Sequence, residues 1–168
     1  VGISAHFHDS SACLLKDGKL VAAVSEERFS RFKNDARLPI RAFRYCLEMG
    51  GIDVRDIDCV AYYELPREKL SRQLATKVPY AADPTYSWLD SRRPEREIRE
   101  LLGIEKRVEF YPHHLSHAAA SFFYSGFEDA AILTVDGVGE WATTMYAEGR
   151  RELLHVFDEV RFPHSLGL

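Results

Sequence analysis

The sequence is poor in cysteine, contains no long hydrophobic run and has no strong excess of either charge. Cys13, Cys46 and Cys59 are odd in number and lie in apolar contexts, which favours small core residues of a reducing compartment over a disulfide framework. No apolar stretch reaches the roughly 18 residues of a membrane-spanning helix. The 22 basic and 26 acidic residues give a net charge of −4 over 168 residues, so no electrostatic attraction for nucleic acid is expected. We therefore expect a cytoplasmic protein whose partners include neither nucleic acid nor a membrane.

The stretch 111–139 carries most of the chemistry that the residues themselves suggest. His113 and His117 are four residues apart at the start of a predicted helix, so both imidazoles project from one face. That arrangement suits two ligands of one divalent metal, and iron, manganese, magnesium and zinc all remain open. The alternative, two surface or core histidines without a ligand, also remains open. The apolar run 130–135 predicts a strand buried on both faces, and Asp136 ends it where α/β sheets bind ligands.

The remaining pattern predicts alternating strands and helices. Asp17-Gly18 between two apolar runs predicts a β-hairpin, because a type I′ turn needs positive φ at both central residues. The predicted strands are 1–5, 11–15, 19–25, 57–63 and 108–110, and a helix is predicted from Leu38-Pro39 to Gly50-Gly51. The charged, proline-punctuated stretch 66–103 is expected to contain helical pieces near 68–76 and 95–102. Glu26 and Glu27 are adjacent and point to different faces, so they are not expected to form an acid/base pair.

The two ends of the chain share a pattern. Laying 136–140 over 5–9 also brings Glu148-Gly149 over the predicted turn Asp17-Gly18. We therefore predict that 132–158 repeats the three-stranded unit of 1–25, with chance resemblance of two hairpins as the alternative. Phosphate-binding folds of the actin/sugar-kinase type are built from two such units, whose loops hold phosphate through backbone amides.

Five segments together resemble one known family. GISAHFHDSSACLL, AVSEERFSRFKND, HHLSHAAASFF, TVDGVGEW and FPHSLGL resemble the NodU/CmcH/TobZ-type O-carbamoyltransferases. The resemblance implies an α/β, Kae1-like domain of the actin/Hsp70/sugar-kinase (ribonuclease-H-like) fold, a mixed sheet flanked by helices. Residues 1–168 would be its N-terminal part, with a helical insertion at about 66–104. The rest of that domain and a YrdC-like C-terminal domain would belong to the missing C-terminal part of the same protein.

The resemblance also implies an activity. ATP and carbamoyl phosphate would form carbamoyladenylate in the YrdC-like domain. The Kae1-like domain would then transfer the carbamoyl group to a hydroxyl of a small acceptor, such as an antibiotic, a Nod factor or another secondary metabolite. An ATPase or kinase of the same fold remains an alternative, and the isolated chain is expected to be inert. A homodimer also remains open.

The site residues carried over by this resemblance fall into three groups. The metal ligands would be His113, His117 and Asp136, with iron as the expected metal and a fourth ligand beyond residue 168. His8 would be the catalytic residue near the carbamoyl group, as a hydrogen-bond donor or as a base, and a plain loop histidine is its alternative. The cofactor-binding residues would be Lys33, Asp9, Gly137 and Gly139, although Lys33 could also be an ordinary solvated charge. The other histidines, His6, His114, His155 and His164, are expected to be structural.

Overall fold

The computed structural model describes residues 1–76 and 87–167, which form two compact units. The first unit contains residues 1–63 and 87–110, and the second contains 64–76 and 111–167. None of the helices in the described ranges 1–76 and 87–167 combines the length and the apolar composition that a membrane span requires.

The secondary-structure elements follow one another in the order predicted for most of the chain. They are β1 (Gly2–Ser4), β2 (Ser11–Lys16), β3 (Lys19–Ser25), α1 (Glu27–Ser30), α2 (Ile40–Gly50), β4 (Cys59–Tyr62), α3 (Pro66–Thr76), α4 (Arg93–Leu102), β5 (Arg107–Phe110), α5 (His113–Phe122), β6 (Asp129–Val135), β7 (Ala142–Arg150) and β8 (Leu153–Arg161). Two short 3₁₀ turns, Val54–Asp56 and Ser87–Leu89, lie between them.

The first unit contains a five-stranded mixed sheet in the order β3-β2-β1-β4-β5. Strands β1, β2 and β3 are antiparallel neighbours, whereas β4 runs parallel to both β1 and β5. Asp17 and Gly18 connect β2 to β3 with φ values of 51° and 74°. The predicted hairpin is therefore confirmed, with the positive φ angles that its turn requires.

Helix α2 supplies much of the core of the first unit. It packs on β2 and β3, and Ala42, Phe43 and Cys46 form its buried face. The helix has no side-chain cap at Pro39. Instead, the buried carboxylate of Glu26 accepts the backbone N–H groups of Arg41 and Ala42 at 3.3 and 2.8 Å. All three cysteines are free. Cys46 is a fully buried core residue as predicted, whereas Cys13 and Cys59 are only partly buried.

The second unit contains a three-stranded antiparallel sheet in the order β6-β7-β8. Helix α5 packs on β6 and β7, and its Ala118 joins Met145 and Ala147 in a small core. Each unit thus contains three successive antiparallel strands, and residues 142–161 form two strands and the turn between them. The predicted repetition of a three-stranded unit is confirmed at the level of strand order.

The predicted turn at Glu148-Gly149 is wrong. Gly149 lies within β7, opposite Leu154 of β8, and the chain turns after it at Arg151, whose φ is 53°. A Cβ added to Gly149 would lie 2.5 Å from ring atoms of Phe122. Glycine is therefore required here because α5 packs closely on the strand, and not because of turn conformation.

The prediction that 130–135 is buried on both faces is also wrong. Strand β6 is the edge of its sheet in the described residues, and α5 covers only one of its faces. Thr134 is buried on the covered face, whereas Leu133 and Val135 are 61% and 46% exposed. The apolar run therefore alternates between a covered and an open face, as side chains of any strand do.

The helical pieces predicted near 68–76 and 95–102 are confirmed as α3 and α4. Residues 77–86, in the middle of the predicted insertion, lie outside the described residues. That the stretch 66–104 is an insertion stays a prediction.

Candidate functional site

The candidate site begins at the first turn of α5. Pro112 precedes the helix with φ −55° and ψ 138°, so it enters the helix without needing the N–H that it lacks. The i,i+4 spacing then brings the rings of His113 and His117 to a centroid distance of 4.5 Å, nearly perpendicular to each other. Their Nε2 atoms are 3.0 Å apart, so both ring nitrogens lie close enough to approach one point.

Asp136 adds an oxygen to these two nitrogens from the end of β6. Its Oδ2 lies 2.7 Å from His113 Nε2 and 4.0 Å from His117 Nε2. The three donor atoms all lie within 4.8 Å of one another. A divalent ion about 2.1 Å from each of its ligands holds neighbouring ligand atoms roughly 3 Å apart, so this donor set fits such an ion. That His113, His117 and Asp136 bind a metal stays a prediction.

The electrostatics of the cluster favour the protonation states in which Asp136 and His117 bind a metal. The hydrogen bond from His113 holds the pKa of the Asp136 carboxyl well below its usual range, and the Gly137 N–H donates to its Oδ1 at 2.6 Å. Partial desolvation of the half-exposed His117 ring lowers its pKa, and the neighbouring His113 lowers it further. An ionised carboxylate and a neutral imidazole are the forms that ligate metals. Binding of a cation would therefore displace the proton that His113 Nε2 donates to Asp136, but it would require no proton to leave Asp136 or His117.

The two glycines after Asp136 have structural roles in this loop. The Gly137 N–H donates to the Asp136 carboxylate, and the Gly139 N–H donates to the Ala142 carbonyl at 2.9 Å. A Cβ at Gly139 would lie only 3.0 Å from the Cβ of His113, so glycine lets the loop pack on α5. Their predicted role in phosphate binding stays a prediction.

His114 points away from the cluster and into the core. The Ala142 carbonyl, 3.0 Å from Nε2, can only accept, so Nε2 carries the proton and Nδ1 accepts from the Thr134 hydroxyl at 2.7 Å. Burial lowers the pKa of His114, which favours this neutral state. Both ring nitrogens are thus used within the core, and His114 is structural as expected.

Glu140 is a residue of the site that no local pattern in the sequence indicates. Its side chain is only 7% exposed, and its carboxylate accepts the backbone N–H groups of His113 and Leu65. These partners are 27 and 75 positions away along the chain. The only sign of Glu140 in the sequence is its place within the TVDGVGEW segment. No sequence periodicity shows which backbone N–H groups its carboxylate accepts.

In the first unit, His8 and Asp9 lie in the loop between β1 and β2. The Nδ1 atom of His8 is 2.7 Å from Asp9 Oδ2, and both side chains are more than half exposed. The loop is held by two backbone bonds, from the His6 N–H to the Ala36 carbonyl and from the Ser10 N–H to the Asp35 carbonyl, at 2.7 and 2.8 Å.

Lys33 lies in the same unit as His8 and Asp9, in the exposed segment that follows α1. The structure therefore brings together His8 and Asp9 in one cluster, and His113, His117 and Asp136 in the other. The roles predicted for His8, Asp9 and Lys33 stay predictions.

Comparison with solved structures identifies the fold. YeaZ from Pseudomonas aeruginosa aligns with a TM-score of 0.52 at 11% sequence identity, covering 96% of this chain and 66% of that one. A second structure, an uncharacterized protein from Pseudomonas aeruginosa with similarity to peptidase YEAZ, aligns with a TM-score of 0.53 at 12% identity. These likenesses, together with a mixed sheet flanked by helices, confirm the predicted Kae1/actin-like fold.

Comparison with known sequences identifies the family. The uncharacterized protein sll1178 of Synechocystis is 42% identical over 184 residues, covering 100% of this chain and 30% of that protein. The nodulation protein NolNO of Sinorhizobium fredii is 40% identical over 148 residues, covering 84% of this chain and 21% of that protein. The chain thus spans less than a third of the length of these relatives. The model of the carbamoyltransferase N-terminus family matches residues 1–168. The chain therefore belongs to the carbamoyltransferase N-terminus family.

Proposed function

We propose that the protein containing this chain is a metal-dependent O-carbamoyltransferase. It would take a carbamoyl group from carbamoyladenylate, made from ATP and carbamoyl phosphate, and transfer it to a hydroxyl of a small-molecule acceptor. The observation that carries this proposal is the cluster of His113, His117 and Asp136 within a chain that matches the carbamoyltransferase family along its whole length. The similarity to NolNO, a nodulation protein, supports a Nod-factor-like acceptor as one class to test.

His113, His117 and Asp136 would hold a divalent cation, and iron is the metal we propose. When bound, the cation supplies positive charge that stabilises the negative oxygen of the tetrahedral transfer intermediate. The residues of the chain keep this charge in place, because Asp136 is ionised and His117 is biased to its neutral form.

His8 would act as the general base. A carboxylate only accepts hydrogen bonds, so Asp9 Oδ2 fixes the proton of His8 on Nδ1 and leaves Nε2 as the acceptor. The acceptor hydroxyl would give its proton to Nε2 while its oxygen forms a bond to the carbamoyl carbon. The bond from that carbon to the adenylate oxygen then breaks, and AMP leaves with the electron pair. The exposure of His8, 57% for its side chain, gives an acceptor access to it.

The test separates formation of carbamoyladenylate from transfer. In the full-length protein, His117→Ala should lower carbamoyl transfer by about 10²–10³-fold, because it removes a ligand of the stabilising charge. Pyrophosphate release from ATP in the presence of carbamoyl phosphate should persist. Labelled carbamoyl phosphate supplied with a panel of aminoglycosides and Nod factors, followed by mass spectrometry, measures the transfer. His155→Ala is the matched control, since His155 is an exposed histidine of the same unit that lies outside the cluster.

Two results would contradict the proposal. Transfer that is unchanged in His117→Ala would exclude a role for the cluster in this step. ATP hydrolysis by the wild-type protein without carbamoyl phosphate, and with no carbamoylated product from any acceptor, would favour an ATPase or kinase of the same fold.

A further inference from the structure

We infer that Glu140 is a positioning residue that sets the geometry of His113 and His117 relative to Asp136. This inference rests on the proposed metal site, and it concerns a side chain that does not itself belong to the donor cluster. The carboxylate joins the start of the histidine helix to the loop that carries the third donor.

Glu140 caps α5 from a distance in the sequence. The helix has no side-chain cap of its own, because Pro112 occupies its N-cap position. The Glu140 carboxylate accepts the His113 N–H instead, at 3.1 Å from Oε1 and 3.2 Å from Oε2. A negative charge at this end also complements the helix dipole. The first donor residue of the cluster is thus held by its own backbone amide.

The same carboxylate holds a second segment. Oε1 accepts the Leu65 N–H at 2.7 Å, directly before α3 begins at Pro66. Arg72 of α3 is 8% exposed and interacts electrostatically with both Glu64 and Glu140. The buried carboxylate of Glu140 is therefore satisfied by two backbone N–H groups, and the positive charge of Arg72 favours its ionised form.

The position of Glu140 in the chain connects these contacts to the metal site. It follows Asp136 by four residues, in a loop closed by the bond from the Gly139 N–H to the Ala142 carbonyl. The loop therefore supplies one donor directly and, through Glu140, fixes the residue that supplies another. Partners that hydrogen-bond a ligating side chain commonly change metal affinity 10–100-fold when they are removed, and we expect the partner of the His113 backbone amide to act within that range.

Other roles fit Glu140 less well. Its oxygens are occupied by two backbone amides, and the side chain is only 7% exposed, so it is not placed to exchange protons with a substrate. The geometry therefore favours positioning over acid/base catalysis.

The experiment compares variants of the full-length protein by titration with Co²⁺, whose visible absorption reports ligand geometry. Glu140→Ala should weaken Co²⁺ binding about 10–100-fold and change the absorption spectrum. Glu140→Gln keeps an oxygen acceptor and should lose less affinity than Glu140→Ala. Hydrogen–deuterium exchange should be faster in Glu140→Ala in the peptides that contain the amides of His113 and Leu65.

Glu64→Ala is the matched control. Glu64 is equally buried, at 6% exposure, and pairs with Lys69 at 2.8 Å, but its side chain accepts no hydrogen bond from α5 among the described contacts. The Glu64→Ala variant should have lower thermal stability than the wild type, with unchanged Co²⁺ affinity and an unchanged absorption spectrum. The positioning role would be overturned if Glu140→Ala bound Co²⁺ as tightly as the wild type. It would also be overturned if Glu140→Ala and Glu64→Ala lost the same Co²⁺ affinity.

The outcomes also separate this inference from the proposed function. Binding of Co²⁺ by a wild-type protein that transfers no carbamoyl group would refute the proposed function, while the Glu140 comparison would still decide the positioning role. A wild-type protein that binds no Co²⁺ would refute the metal site and the role of Glu140 together.

Discussion

Replacing Gly149 by alanine tests the close packing of α5 on its sheet. Gly149 is buried in β7, and its φ is not positive, so alanine can adopt its backbone conformation. A Cβ at this position would lie 2.5 Å from two ring atoms of Phe122 and 2.6 Å from a third, where ordinary contacts begin near 3.4 Å. The ring would have to move by about 0.9 Å. Phe122 is only 4% exposed and ends the helix that carries His113 and His117, so little free space is available.

Two opposing effects determine how much Gly149→Ala changes the free energy of unfolding. Gly→Ala at an unstrained position stabilises by about 0.4–1 kcal/mol, because it reduces the entropy of the unfolded chain. Overpacking a well-packed core costs about 1–3 kcal/mol or more. Because all three short contacts involve a buried ring, we expect the second effect to win, with a net loss of about 1–2 kcal/mol. Urea denaturation followed by circular dichroism measures this loss.

The double variant makes the test specific. In a Phe122→Leu background the short ring contacts are absent, so Gly149→Ala should become neutral or slightly stabilising. The coupling between the two sites should then be about 1–3 kcal/mol. The same destabilisation by Gly149→Ala in both backgrounds would refute the argument that this glycine makes room for the ring.

Two further predictions concern the first unit. Two hydrogen bonds from the Arg37 guanidinium, at 2.9 and 2.6 Å, hold the pKa of the buried Asp35 carboxyl well below its usual range. Because the folded-state pKa is lowered, this stabilisation is present above the unfolded value of about 3.9 and is lost as the pH falls below it. Asp35→Asn should therefore lower the free energy of unfolding by about 1–2 kcal/mol at neutral pH and by less near pH 3, as measured by urea denaturation. An equal loss of stability at both pH values would contradict the ion pair. Burial raises the pKa of the Cys46 thiol to about 11. We expect a disulfide reagent at about pH 8 to leave Cys46 unmodified in the native protein and to modify it in urea, as measured by peptide mass spectrometry, and rapid native modification would show that this core is open.

Much of the fold could be predicted because its signals are local. Asp17-Gly18 predicted the first hairpin, since few residues accept two successive positive φ angles. The end of α2 was equally readable, because Gly51 takes the left-handed conformation that ends a helix, with φ 59°.

The failures came from packing between distant segments. The sequence context of Gly149 predicts a turn, whereas the structure needs a glycine there because the ring of Phe122 on α5 packs against it. The apolar run 130–135 predicts a strand buried on both faces, but hydrophobicity alone does not show which faces other elements cover. Leu133 is exposed because α5 packs on the opposite face of β6.

For the candidate site, the sequence by itself determined the donors and their local spacing. His113 and His117 share a helix face because 3.6 residues make a turn, and no other part of the chain is needed for that. The meeting of His113 with Asp136, 23 positions apart, depends on how α5 packs beside β6. Glu140 accepts hydrogen bonds from the backbone N–H groups of His113 and Leu65, which are 27 and 75 positions away. These bonds depend on tertiary structure in the same way. Local periodicity follows from bonded geometry and is visible in the sequence, whereas contacts between distant residues form only when the elements pack together.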